Sequence, residues 1–181
     1  LHLCDYNLET IDTTSTTHDL LAEVCMAAKY EGESLTRHYT KHERTNPDSQ
    51  LCTVLARSFA DIGDIVRGRD LYRGGGRGRK KLDDKLKEIF KNIYGNLDKK
   101  DRYKDDTTNY FQLREDWWAL NRKDVWKALT CEVGSGTYFR ATCGGSESPS
   151  MARDKCRCKK KDNTPDDQVP TYFDYVPQFL R

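Results

Sequence analysis

The chain has 181 residues, of which 36% are apolar and 33% charged, and its formal net charge is +2. That length supports one ordinary domain with a real core, while the charge content demands long solvated helix faces or loops. No run of eighteen apolar residues is present, which excludes a membrane-spanning helix; the near-neutral balance leaves partner choice to how the charges are distributed.

Seven cysteines are the strongest compositional feature. In a reducing compartment they would be thiols or metal ligands, and outside the cell they would pair, with an odd one left over. No secretory leader opens the chain and Leu1 is not a natural start, so the sequence is expected to be a piece of something longer.

The chain opens on LHLCDY, a short apolar and aromatic entry containing Cys4, and continues into the threonine-rich stretch Thr10 to Thr17, a set of candidate helix caps. From His18 the pattern turns helical. Leu20, Leu21, Val24, Cys25, Ala28, Leu35 and Tyr39 lie close to one stripe, which predicts a helix to about Lys41 with Gly32 as a weak point. Asn46-Pro47-Asp48 is a turn. The central helix follows over Ser49 to Leu71, with Leu51, Val54, Leu55, Phe59, Ile62, Ile65 and Val66 on one face. Gly63 sits mid-stripe, where a missing side chain admits a close neighbour. Two long helices joined so briefly are expected to be antiparallel neighbours, which brings Cys25 within reach of Cys52.

RGGGRGRKK, residues 73 to 81, is the main break: three consecutive glycines, five basic residues and no acidic one. A third helix is predicted over Leu82 to Leu97, with Leu82, Leu86, Ile89, Phe90 and Ile93 on one side. Asp98 to Asp106 is a mixed-charge linker. A fourth helix runs from about Asn109 to Thr130, with Tyr110, Leu113, Trp117 and Leu120 in one stripe and Trp118, Val125 and Leu129 widening it. From Cys131 to about Gln168 glycine, serine, proline and charge dominate, so order there must come from cross-links among its four cysteines. Val169 to Arg181 regains aromatics and ends like the first turn of a helix. The expected fold is all-α: a bundle of long antiparallel helices with a disulfide-stapled loop region.

Cys131, Cys143, Cys156 and Cys158 do not have zinc-site spacing: one Cys-x-Cys and two long gaps fit no paired-knuckle pattern. Two disulfides are the better reading, with Cys156 and Cys158 each reaching back to one of Cys131 and Cys143. The glycine run lacks the Lys-Ser/Thr that ends a phosphate loop. Its mobile cations suit a sulfated polysaccharide or another polyanion instead, and the candidates are Arg73, Arg77, Arg79, Lys80, Lys81 and Lys85. A second cluster, Lys155, Arg157, Lys159, Lys160 and Lys161, joins them if the fold brings the two together. No nucleic-acid motif is present. His38 and His42 are one helical turn apart, but Tyr39 stands where a metalloprotease needs its glutamate. No nucleophile motif is visible, so a binding module without cofactor or metal is expected rather than an enzyme.

LARSFADIGDIVRGRDL (Leu55 to Leu71), DWWALNRKDVWKALTC (Asp116 to Cys131), TYFRATC (Thr137 to Cys143), CRC and VPTYFDYVPQFLR, together with LHLCDYNLET at the start, occur in order. They closely resemble the alpha class of Duffy-binding-like domain, the head domain of the variant erythrocyte membrane protein 1 family of malaria parasites. The resemblance implies a partial domain: residues 1–47 the end of a first subdomain or its junction, 48–181 mostly a second helical subdomain, and a third absent. It implies an ectodomain on the extracellular face of the infected erythrocyte, touching the membrane only through other parts of the full protein. Adhesion to host erythrocyte or endothelial receptors is its implied work, in rosetting and cytoadherence, with antigenic variation and host antibody as a further partner. The implied receptors are sulfated glycans such as heparan sulfate, blood-group sugars and complement receptor one. It also implies Cys143 joined to Cys158 and Cys131 to Cys156; with Cys25 bridging to Cys52, Cys4 would pair outside the chain. The alternative is a protein-receptor or scaffold and immune-target segment with an incidental basic loop, whose contacts are the fourth helix and the loops around Thr137 to Arg140.

Overall fold

The computed structural model describes residues 6–43, 51–70, 77–134, 141–144, 149–152, 155–166 and 168–181. Cys4, Arg73, the three glycines Gly74 to Gly76 and the loop Thr137 to Arg140 lie outside them. Five helices carry the fold: α1 (Tyr6–Glu9), α2 (Thr17–Glu43), α3 (Leu51–Arg67), α4 (Arg77–Gly95) and α5 (Phe111–Leu129).

Local chemistry sets where they begin and end. At the start of α2 the Thr16 backbone N–H donates to the Asp19 carboxylate at 2.9 Å, and the Asp19 N–H donates to the Thr16 hydroxyl at 3.3 Å. This reciprocal box satisfies donors that an uncapped helix leaves open. At α5 one side chain does more: the Asp106 carboxylate accepts the N–H groups of Phe111, Gln112 and Leu113 at 2.9, 2.7 and 3.2 Å. The mixed-charge linker therefore serves as a cap, and its Arg102 holds Asp116 through two nitrogens at 2.8 and 3.1 Å. Helix α3 stops at Arg67, short of Leu71, because Gly68 turns left-handed (φ 72°) and a Schellman pair closes the end, Gly68 N–H to Ile65 and Arg69 N–H to Asp64.

Packing directions follow from contacts at both ends of α5. Trp117 Nε1 donates to the Thr17 hydroxyl at 2.9 Å, and a Cβ on Gly32 would stand 1.8 Å from the Leu129 carbonyl oxygen, so α2 and α5 run parallel. Arg114 Nε donates to the Val66 carbonyl at 2.6 Å while Phe59 meets Trp126 edge-on at 5.1 Å, so α3 runs against α5. Helices α2 and α3 are thus antiparallel, as their short connection predicts, and Ser58 donates to Glu31 between them at 3.1 Å. Gly32 is no weak point: α2 passes through it unbroken, because its bare Cα is where the α5 backbone crosses. Helix α4 buries Leu82, Leu86, Ile89, Phe90 and Ile93, with Phe90 edge-on to Trp117 at 6.1 Å.

Gly63 faces Trp118, which is fully buried; an added Cβ would lie 2.8 Å from the indole ring. The indole is fixed by a hydrogen bond from its Nε1 to Asp174 at 2.9 Å, so it has nowhere to go. Gly63→Ala is expected to lower stability by about 1–3 kcal/mol despite the better helix propensity of alanine. A urea midpoint equal to that of the parent would show that the ring can yield.

The expected all-α bundle is what the helices form, and two details of it are corrected. Helix α4 starts at Arg77 rather than Leu82, because arginine and lysine are good helix formers and Gly78 falls in the tolerant first turn. Leu120 is 79% exposed and off the core stripe, which runs through Leu113, Trp117, Trp118, Val125, Trp126 and Leu129. The loop region also contains two short antiparallel strands, β1 (Ala141–Cys143) and β2 (Ser150–Met151).

The cysteine pairing differs most. Cys52 is bonded to Cys156, and Cys143 to Cys158. The second is the pair the resemblance implied. Cys25 and Cys131 are free thiols, so neither Cys25–Cys52 nor Cys131–Cys156 forms. Cys25 belongs to the side of α2 that meets α5 near Asp124, whereas Cys52 opens α3 under the stapled loop. Burial pushes the Cys25 thiol up to about 11, with Asp124 adding to it, and raises the Cys131 thiol too, with Glu132 as the next cause.

Candidate functional site

Four of the first five residues of α4 are basic (Arg77, Arg79, Lys80 and Lys81), and no acidic residue lies in that turn. Lys80 and Lys81 are exposed. The unpaired N–H groups of a helix start carry positive partial charge, so these cations stand where the backbone field has their own sign. That placement costs helix stability and concentrates positive potential at one point of the surface. Lys85 is different: its Nζ donates to the Glu9 carbonyl and holds α4 against α1. Asp83 faces inward, paired with Arg114 and Lys87 at 3.1 Å each, while Asp84 and Glu88 are exposed further along. The basic run thus opens the helix, with Lys80 and Lys81 exposed, and Lys85 serves packing.

The second cluster divides in two. Arg157 donates to the Lys127 carbonyl at 2.8 Å and to the Thr130 hydroxyl at 3.1 Å, and Lys155 donates to the Cys131 carbonyl at 3.0 Å. Both cations cap the C-terminal end of α5, where carbonyls are unpaired and the dipole favours positive charge. Lys159, Lys160 and Lys161 are exposed. They sit on a tight turn closed by Lys160 N–H to the Thr164 carbonyl and Asn163 N–H to the Lys160 carbonyl, at 2.9 Å each. Asp162, the adjacent acid, is occupied by the Thr164 N–H and hydroxyl, which hold its carboxyl below the usual range.

The fold does not bring the two clusters together. Cys156 is bonded to the first turn of α3, and Trp126 donates to its carbonyl at 3.1 Å, so the lysine turn belongs to that end of the bundle. The start of α4 belongs to the other end, through Asp83, Arg114 and Val66. Between Cys52 and Val66 lies about 21 Å of helix, at ~1.5 Å per residue.

A third feature joins residues remote from one another in the sequence. The C-terminal segment crosses α3 and α5 on a group of buried charges. The Asp174 carboxylate accepts from Trp118 Nε1 and from Arg122 Nε and Nη2, at 2.9, 2.8 and 2.7 Å. Arg67, 1% exposed, donates to the Asp174 carbonyl and to Asp64, and Arg181 reaches Asp61 and Asp64. Burial pulls the Arg67 guanidinium down while Glu115 and Asp174 hold it up. On the outer side of the same segment Tyr172, Phe179 and Leu180 are exposed.

The model of the Duffy binding domain family matches residues 1–181. The chain belongs to that family. Among solved structures, this Duffy binding domain is similar to the NTS-DBL1α1 domain of Plasmodium falciparum membrane protein 1 (PfEMP1) from the varO strain. They share 40% identity with a TM-score of 0.70, over 99% of this chain and 40% of that one. The DBLβ domain of the IT4var13 PfEMP1 bound to ICAM-1 shares 33% identity with a TM-score of 0.71, over 99% and 40%. A second PfEMP1 DBLβ domain bound to human ICAM-1 shares 32% with a TM-score of 0.60, over 90% and 30%. The chain thus spans less than half the length of these structures. No curated protein matches. Among the described residues no helix is long and apolar enough to cross a membrane.

Proposed function

We propose that the chain is a receptor-binding segment of an adhesive surface protein on the infected erythrocyte, and that the first turn of α4 captures sulfated polysaccharide. One observation carries this: Arg77, Arg79, Lys80 and Lys81 occupy a helix start with no acidic residue in the turn, and Lys80 and Lys81 are exposed. Such a turn is poor design for stability and good design for a polyanion, whose sulfates gain from both the side chains and the backbone dipole. Arg73 precedes the turn in sequence and adds one more cation to the basic run. Rosetting, blood-group sugars, complement receptor one, antigenic variation and antibody recognition belong to the same proposal at finer grain, and rest on the resemblance rather than on the geometry.

The test is binding to immobilised heparin at near-physiological salt, with Arg77, Arg79, Lys80 and Lys81 intact or all changed to serine. The parent is expected to bind and to elute with rising salt, because exposed charges are screened over about 8 Å at ~0.15 M. The quadruple variant is expected to bind at least about tenfold more weakly, or ~1.4 kcal/mol, with its helical spectrum unchanged. Equal retention of the two proteins removes the basic turn from the reading.

A protein receptor is the second reading, supported by the exposure of Tyr172, Phe179 and Leu180 on one segment and of Leu120 on α5. Two of the similar structures are of domains bound to ICAM-1. Protein binding of this kind follows particular aromatic and apolar groups and changes little with salt. Loss of receptor binding on Tyr172→Ser with Phe179→Ser, at unchanged heparin retention, would favour it.

A further inference from the structure

Lys155 and Cys156 both take left-handed backbone conformations, at φ 60° and 53°. A side chain makes that region unfavourable, so two such residues in succession persist only where their surroundings hold them. Most of what holds them belongs to one place. Trp126 Nε1 donates to the Cys156 carbonyl at 3.1 Å, and Arg157 donates to the Lys127 carbonyl at 2.8 Å and the Thr130 hydroxyl at 3.1 Å. Lys155 donates through Nζ to the Cys131 carbonyl at 3.0 Å and through its N–H to the Gly134 carbonyl at 3.4 Å. These ties all run to residues 126–134, the end of α5 and the turn after it. The covalent tie runs elsewhere, from Cys156 to Cys52 in the first turn of α3. Within 126–134 lies Cys131, a free and half-buried thiol.

We propose that Cys131 is a built-in exchange partner for the Cys52–Cys156 disulfide, so that the chain has a second connectivity, Cys131–Cys156 with Cys52 as the free thiol. The Cys131 thiolate attacks Cys156 Sγ. The new S–S bond forms as the Cys52–Cys156 bond breaks, and Cys52 leaves as a thiolate that takes up the proton Cys131 gave to solvent. One disulfide and one thiol stand on each side, so the step consumes no oxidant or reductant.

Exchange moves the covalent tie of Cys156 to the stretch that already holds it by hydrogen bonds, and lets go of the one element pulling it elsewhere. Lys29 of α2 and Arg157 face the Cys131 thiol and favour its thiolate; burial and Glu132 oppose them and prevail, which raises its pKa. Exchange is therefore slow at neutral pH and quickens as pH rises. Cys25 does not compete, because it lies on the side of α2 that meets Asp124. The structural consequence follows from the cores. Cys143, Ala152 and Cys158 form a small core of their own, apart from the main one to which Cys52 and Cys156 belong. The Cys52–Cys156 bond clamps this small body to α3 across 104 residues of sequence; after exchange it is tied to the end of α5, and the start of α3 is released from it. The device thus has a clamped and a released state, set by which sulfur Cys156 holds.

The experiment uses the whole oxidised chain, and a form with Cys4→Ser and Cys25→Ser in which Cys131 is the one thiol left outside the two bonds. Both are held at about pH 7 and about pH 9, then unfolded at intervals in denaturant with excess N-ethylmaleimide and mapped without reductant. A Cys131–Cys156 peptide is expected to accumulate, with the label moving from Cys131 to Cys52. Its formation should be at least about tenfold faster at the higher pH and independent of protein concentration. Cys131→Ser is expected to keep Cys52 joined to Cys156 throughout. Hydrogen exchange in the first turn of α3 should rise in step with the exchanged fraction. Retention of the label on Cys131 alone at the higher pH overturns the proposal. So does Cys131 joined to Cys158 instead of Cys156, or a rate that rises with protein concentration, which marks exchange between molecules.

Discussion

Asp174→Ala is expected to destabilise the domain by about 3–5 kcal/mol, the cost of breaking a buried ion pair from one side. The carboxylate is fully buried and receives three hydrogen bonds from two side chains, Arg122 and Trp118. Removing it leaves a guanidinium that is 11% exposed without its counter-charge and an indole N–H without an acceptor. Arg122 keeps its bond to the Thr171 carbonyl at 2.8 Å and its stacking on Phe59, Tyr172 and Tyr175, but none of these neutralises it. A single domain of this size has only about 5–15 kcal/mol in total, so the variant should be close to unfolding or should release residues 169–181 from α3 and α5. Urea unfolding followed by tryptophan fluorescence reads the first outcome, and hydrogen exchange in the C-terminal segment reads the second. Changing Arg122 to methionine together with Asp174 to leucine should recover much of the loss, since replacing both charges by apolar groups avoids the desolvation penalty. A loss below about 1 kcal/mol for Asp174→Ala, the range of an exposed pair, would mean that water reaches the site.

The apolar skeleton was legible from spacing alone, and the charges inside it were not. Leu51, Leu55, Phe59, Ile62 and Val66 form the buried face of α3 that their intervals of three and four predict. Gly63 marks the close approach of a neighbour, and the neighbour is Trp118. Arg67, Arg114, Arg122 and Asp174 look like ordinary polar positions because their partners are remote in sequence: Asp174 lies 52 residues from Arg122, and the Val66 carbonyl 48 from Arg114. A signal was present nonetheless. Arg67 follows Phe59 and Gly63 at steps of four along the core stripe, and Arg122 follows Trp118 by four, so each cation sits where an apolar residue belongs. Charge on a core stripe demands a buried counter-charge. The binding candidates were legible as composition, but their separation was not: only the disulfide to α3 and the Asp83–Arg114 pair place the two clusters at opposite ends. Lys85, Lys155 and Arg157 look like members of those clusters in sequence, yet each is occupied by a backbone carbonyl.

Changing Cys52 and Cys156 together to alanine is expected to cost about 4–5 kcal/mol, and changing Cys143 and Cys158 together about 3 kcal/mol. The order follows from the loops. The first bond spans 104 residues and the second 15, and a cross-link removes more freedom from the unfolded chain when it closes a longer loop. The longer bond also joins two bodies with different sources of order. Cys52 belongs to a helix with its own apolar core, whereas Cys156 belongs to a segment poor in apolar residues, held otherwise by the Trp126 bond and the two cations at the end of α5. Loss of the Cys52–Cys156 bond should therefore free the lysine turn before it melts the bundle, giving proteolytic cleavage near residues 155–166 in a protein that still shows helical structure. The connectivity itself is checked by peptide mapping without reductant. Peptides containing Cys52 and Cys156 should be joined, and after denaturation Cys25 and Cys131 should accept a thiol label that the four bonded cysteines refuse. Within the folded chain those two thiols should label slowly at neutral pH, because burial holds the Cys25 pKa at about 11 and raises that of Cys131, leaving little thiolate to react. Recovery of Cys25 joined to Cys52, or Cys131 to Cys156, would detach the lysine turn from its place at the start of α3.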